Sequence, residues 1–213
     1  GGLAGAALAP LGAMASEALR AVVAMPASHS FSTGAAIGAV SGMATKVGSV
    51  RGHYHSLMLP LILLEVECAR PAVLGALDAA CLCCVCAGVC SAVALLPRTE
   101  HEGAACRRAV RINFFFGDYV EACYPYMARD VWVQTAALIG AAVAGGLIGS
   151  TAARSTAYLP MPLAIALSDK PGPFACACAA GFFVPFAVTV MRRLPQPNAY
   201  VTVHRGEKAP FSK

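Results

Sequence analysis

The chain has 213 residues, of which 58% are hydrophobic and 13% charged, with a formal net charge of +5 and a mean hydropathy of +0.64. Soluble domains usually carry about 25% charged residues, so this composition excludes an ordinary soluble domain, and the modest positive charge excludes a dedicated nucleic-acid surface. The length suits one unit, residues 1–213, with an N-terminal region at 1–70, a membrane core at 71–192 and a basic surface tail at 193–213.

Residues 3–25 read as a helix of small residues with a polar notch at Ser16, Glu17 and Arg20, lying on a membrane or against a partner. Its first part, ending in Ala13-Met14-Ala15, has the look of a signal segment. The helical pattern continuing through Glu17 and Arg20 favours an ordinary Ala-rich helix. After Pro26, residues 31–50 repeat glycine every fourth position, at Gly34, Gly38 and Gly42. Such ridges let helix backbones approach closely in lipid, where no hydrophobic force joins helices. This stretch is a candidate fourth span, ending at Lys46.

Residues 51–67 carry His53, His55, Glu65 and Glu67 around a short apolar run that is too brief to cross a bilayer. Imidazole nitrogen and carboxylate oxygen can both ligate a porphyrin or chlorin metal, so His53, His55 and Glu65 are candidate chlorophyll ligands. The plainer reading is contact with head groups or a neighbouring subunit.

Three stretches, residues 71–96, 131–152 and 174–191, meet the roughly 20 apolar residues that a hydrocarbon core requires. Lipid offers the backbone no hydrogen-bond partners, so all three must be helical. The expected fold class is an all-α integral membrane protein with three spans, or four, plus interfacial amphipathic helices. The first span contains one charged residue, Asp78, an intramembrane acid. Lying about two turns from the helix start, it reads as an interfacial or structural group, with Arg70 as a candidate partner.

Five of the ten cysteines, Cys81, Cys83, Cys84, Cys86 and Cys90, fall in that same span. They read as small core residues, because thiols on one helix cannot close disulfides with each other. Zinc or iron–sulfur sites need more ligands in hairpin-type spacing, so no metal site is expected. Cys68, Cys106 and Cys123 lie in connections and could pair in an oxidising compartment; spacing selects no pair.

The connection over 97–130 mixes five arginines with acids, Phe114-Phe115-Phe116 and three tyrosines, a pattern suited to a helix along head groups. The second span opens with Trp132 as an interfacial anchor and carries Gly145 and Gly149 as a G-x-x-x-G. Pro160, Pro162, Pro171 and Pro173 are expected to break up the next connection, and Pro185 to kink the last span. The 97–130 connection and the chain after the last span hold ten Lys or Arg residues, against Arg154 and Lys170 in the other connection. The positive-inside rule then places the tail on the cytoplasmic, matrix or stromal side.

No metalloprotease, phosphate-loop or nucleophile-elbow motif is present, so no enzyme is expected. A transporter with repeated halves and midplane polar groups fits less well. Trp132-Val133-Gln134, with Ala137 and Gly145-Gly146, resembles the final span of the photosystem I subunit XI family, and Arg51-Gly52-His53-Tyr54 loosely resembles that family's run before its first span. That resemblance implies a three-span, chlorophyll-binding subunit, although the tail side expected here is not that family's. Gly34-Ala35-Ala36-Ile37-Gly38 and Asp130-Val131-Trp132 are similar to the inner-membrane translocase and complex I accessory family with four Gly-rich spans.

The expected function is a non-catalytic accessory subunit of a large energy-converting complex, in contact with other subunits and bound lipids. A photosynthetic complex of a plastid thylakoid membrane, with chlorophyll and carotenoid, is the first choice. A mitochondrial inner-membrane complex, such as a respiratory complex or ATP synthase, is the alternative, and a small transporter using Asp78 comes third.

Overall fold

A computed structural model describes residues 31–53, 71–117 and 119–194. The expected N-terminal helix, His55, Glu65, Cys68, Arg70 and the tail beyond 194 lie outside the described residues. Those described residues are organised by helices: α1 (Phe31–Val50), α2 (Val73–Leu95), α3 (Glu100–Phe115), α4 (Tyr124–Arg129), α5 (Val131–Thr151), α6 (Met161–Ala166) and α7 (Pro171–Arg193). An antiparallel bridge, Ala72 to Ser155, ties the start of α2 to the chain after α5.

Three of these helices, α2, α5 and α7, are long and apolar enough to cross a membrane. Their bounds follow the apolar stretches closely, with one correction. Pro171 and Pro173 do not break the chain ahead of the last span; α7 begins at Pro171. Proline is tolerated in a first helical turn, where the amide has no intrahelical partner. The same placement puts Pro162 in the first turn of the short α6, inside a connection expected to be irregular.

The ends of α5 are explicit in its residues. Asp130 accepts the Trp132 N–H at 2.9 Å as an N-cap, and Ala152 closes the helix in the left-handed region at φ 51°. α3 opens at Thr99, whose hydroxyl accepts the Glu102 N–H at 3.1 Å. It buries Gly103, Cys106, Ala109 and Asn113, spaced by three or four, and exposes His101, Arg108, Arg111 and Phe115.

The helices form one bundle around α2. In α2 94% of the apolar window is buried, against 44% in α5 and 33% in α7, so α2 is the core and the other two form its wall. Gly34, Gly38 and Gly42 of α1 face Gly149, Gly145 and Ala141 of α5 in reverse order, which makes that pair antiparallel. α7 is also antiparallel to α5, with Gly181 beside Ala144 and Pro185 beside Gly140. Gly88 against Phe182, and Leu96 against Arg193, make α2 and α7 parallel. Therefore α1, α2 and α7 point one way and α5 the other, and residues 50 and 73 lie at opposite ends of the bundle. The 97–130 connection and the end of α7 share one end, the more basic one.

Candidate functional site in the bundle interior

Three groups of side chains stand out in the interior. The first is the α1–α5 seam. A Cβ on Gly38 would lie 2.1 Å from the Gly145 carbonyl oxygen, and one on Gly149 would lie 2.1 Å from that of Gly34. Only hydrogen fits there, so the two ridges pack backbone to backbone.

The second group lies where α1 and α2 meet. Lys46 has no exposed surface. Its Nζ donates to Cys123 Sγ at 3.5 Å and sits 5.5 Å from the centre of the Tyr124 ring. Ser49, the penultimate residue of α1, is hydrogen-bonded to the Tyr124 hydroxyl. α1 covers the whole of the expected 31–50 stretch, one turn past Lys46, and carries that ammonium inward. A lysine stem supplies four methylenes that pack like a hydrophobe, and the thiol and aromatic face receive the head. Asp78 is 1% exposed and opens a seven-residue π-helical segment, Asp78–Cys84, in the middle of α2. It is thus an interior residue of the bundle, covered by neighbouring elements. Cys81 lies within electrostatic reach of both Asp78 and Lys46.

The α2 thiols lie at different angles around that helix, as residues one, two or three apart must, and the π segment shifts those angles further. Five residues per hydrogen-bonded turn change the angular step between side chains. Cys81 Sγ donates to the Ala141 carbonyl of α5 at 3.3 Å, Cys83 Sγ to Gly117 at 2.9 Å, and Cys86 Sγ to Tyr119 at 3.3 Å. Cys84 points elsewhere, to Met161 Sδ of α6 at 3.8 Å, and Cys178 of α7 meets the same sulfur at 3.8 Å. All described cysteines are free thiols, and only Cys176 is exposed. Cys106 and Cys123 have different neighbours: Cys106 Sγ donates to the Tyr126 hydroxyl at 3.1 Å, whereas Cys123 receives Lys46. A hydrogen bond with Cys90, helped by Tyr126 and against the effect of burial, lowers the Cys106 thiol to about 7.

The third group closes the basic end. Arg193 Nη2 pairs with Glu102, its Nε donates to the Leu96 carbonyl at 2.8 Å, and its guanidinium lies 5.8 Å from the Tyr126 ring centre. Arg192 Nε bonds Asp130 at 2.9 Å. Partial burial would raise both acids, but Glu102 is held below the usual carboxylate range by the Arg98 N–H and by Arg193, and Asp130 by Arg192 and the Trp132 N–H. Beside these pairs, a cavity of about 90 Å³ is lined by Tyr126, Arg129, Val133 and Thr189 among others.

His53, the described member of the expected ligand set, is exposed just beyond α1, after Gly52 turns the chain at φ 79°. His55 and Glu65 lie outside the described residues. Among the described residues no three His, Cys, Asp or Glu side chains come together as a metal site. Lys46, Asn113 and Met161 are members of these groups that the sequence pattern does not single out, and Cys178 carries only the short Cys176-Ala177-Cys178 spacing, too little for a zinc or iron–sulfur site. Lys46 has one legible signal, a charge inside an otherwise apolar helical pattern, and Asn113 another, an amide on the buried face of the two-faced α3. Comparison of the chain with protein-family models, with curated proteins and with solved structures finds no match in any of the three.

Proposed function

We propose that this chain is a non-catalytic subunit of a larger membrane complex, acting as a rigid helical element that other subunits and lipids pack against. The observation that carries this reading is α1. It lies along α5 through interlocked glycines, and its exposed face sets the small or polar Ser32, Thr33, Ala36 and Ala44 among the apolar Phe31, Val40 and Met43. A small, partly polar helix face at the depth of a spanning helix is suited to a protein neighbour, because close backbone approach is the main source of helix association in lipid. The exposed arginines and Phe114, Phe115 and Phe116 of the α3 region supply a surface for head groups at the basic end.

Within that class a photosystem I type complex is our first choice, because the exposed imidazole of His53 can reach the metal of a chlorophyll. A mitochondrial inner-membrane complex is the alternative. The test is gentle solubilisation of native membranes, separation on a native gel and an absorption spectrum of the band holding this chain. A large band with chlorophyll absorbance is expected, and His53→Leu should lower its pigment content. A large colourless or haem-bearing band would move the chain to the mitochondrion, and migration at the size of the free chain would overturn the subunit reading.

One observation favours a second reading, a small transporter. Asp78 is buried at the start of a π segment, an irregularity that recurs at functional sites. That reading requires flux through the purified chain in liposomes, abolished by Asp78→Asn.

A further inference from the structure

Four of the buried thiols among the described residues, Cys81, Cys83, Cys86 and Cys123, donate to a backbone carbonyl, and Cys123 also meets Met127 Sδ of the next turn at 3.6 Å. Cys84 and Cys178 do something different: both converge on one thioether, Met161 Sδ, each at 3.8 Å, and the two thiols also interact directly. Three separate elements, α2, α6 and α7, therefore bring three sulfur atoms to one point. We propose that Cys84, Cys178 and Met161 form a three-sulfur site for a soft monovalent metal ion, copper(I).

The geometry suits that ion. Three sulfurs around one metal at about 2.3 Å define a triangle with edges of about 4 Å, and the two edges from Met161 Sδ to Cys84 Sγ and Cys178 Sγ are each 3.8 Å. Thiolate and thioether ligands together select copper(I) over harder ions. Zinc would take these thiolates too, but it closes structural sites with four ligands, and no third His, Cys, Asp or Glu joins this group among the described residues. The three side chains are 5–6% exposed, so an ion bound there would be shielded from water and oxygen. Cys178 is the eighth residue of α7, about 10 Å along the helix from its start, which keeps the site near one end of the bundle. Binding forms sulfur–copper bonds while each thiol that becomes a thiolate releases its proton to water. No electron moves, and affinity should rise with pH. This inference does not depend on the subunit reading above.

The test uses the full chain in detergent, kept anaerobic, titrated with copper(I) against a chromophoric copper(I) chelator. One tightly held equivalent is expected, and X-ray absorption should show three sulfurs and no nitrogen or oxygen neighbours. Cys84→Ser with Cys178→Ser should remove that equivalent, Met161→Leu should weaken it at least tenfold, and Cys176→Ser should leave it intact. Circular dichroism of each variant reports folding, and the wild-type absorption spectrum stands without any variant. Retention of the equivalent by the double variant, a two-coordinate or nitrogen-ligated copper, or displacement of copper(I) by equimolar zinc would each overturn the proposal.

Discussion

Asn113 and Thr189 are both buried polar residues, and their surroundings give them opposite weights. Asn113 Nδ2 donates to the carbonyls of Ala109 at 3.1 Å and Tyr119 at 3.0 Å, and its Oδ1 accepts the Tyr119 N–H at 3.1 Å. One side chain thus satisfies the backbone where α3 turns toward the Val120–Cys123 helical turn. Asn113→Leu takes away the acceptor of the Tyr119 N–H and two further bonds, and a loss of about 1–3 kcal/mol is expected, read by thermal unfolding in detergent. Thr189 Oγ1 is buried with no hydrogen-bond partner among the described residues. Thr189→Val removes an unsatisfied hydroxyl at nearly constant shape, so an unchanged or higher melting temperature is expected. A clear drop would mean that water in the adjoining cavity satisfies the hydroxyl.

At the scale of elements, the α1–α5 seam makes two glycines of one helix behave oppositely. A methyl group at Gly38 meets backbone at 2.1 Å from the Gly145 oxygen, whereas one at Gly48 meets nothing within 4 Å. Gly38→Ala must push the helices apart, with an expected cost of about 1–3 kcal/mol. Gly48→Ala gains helix propensity of up to about 1 kcal/mol without a clash. Measuring both melting temperatures in one detergent separates packing from propensity, and equal shifts would refute the close seam. The repeats at 34, 38 and 42 and at 145 and 149 were legible as ridges because small residues every fourth position lie along one helix face. Which ridge meets which was not legible, since any two such faces can pair. The π segment was equally hidden: Asp78–Cys84 has no residue with an intrinsic preference for a wide turn.

For the whole molecule, the basic end acts as a clasp holding the last helix to both ends of the 97–130 connection. Arg193 joins Glu102 and Leu96, and Arg192 joins Asp130, residues separated by 62 to 97 positions. Both carboxyls titrate below their ordinary range, so each contributes stability that is complete above the unfolded-state value of about 4. That contribution is lost as pH falls through the lowered folded-state value. The melting temperature is therefore expected to stay level from neutral pH to about 5 and to fall below about 4. Asp130→Asn and Glu102→Gln should shallow that acid limb, and parallel acid limbs in wild type and variants would show that neither pair contributes. Because these groups are partly exposed, added salt should also weaken the clasp.

The apolar stretches by themselves determined that the chain is helical and where α2, α5 and α7 begin and end to within about three residues, because chain length and the lack of backbone partners in lipid leave no other solution. Composition likewise determined that α3 would be two-faced. Only the tertiary structure decided that α2 is the core and not one of three equal spans, that Lys46 and Asp78 face inward, and that Cys84, Cys178 and Met161 meet. These depend on which faces of distant helices adjoin, and small apolar residues that fill every face of a helix carry almost no periodic signal to distinguish one face from another.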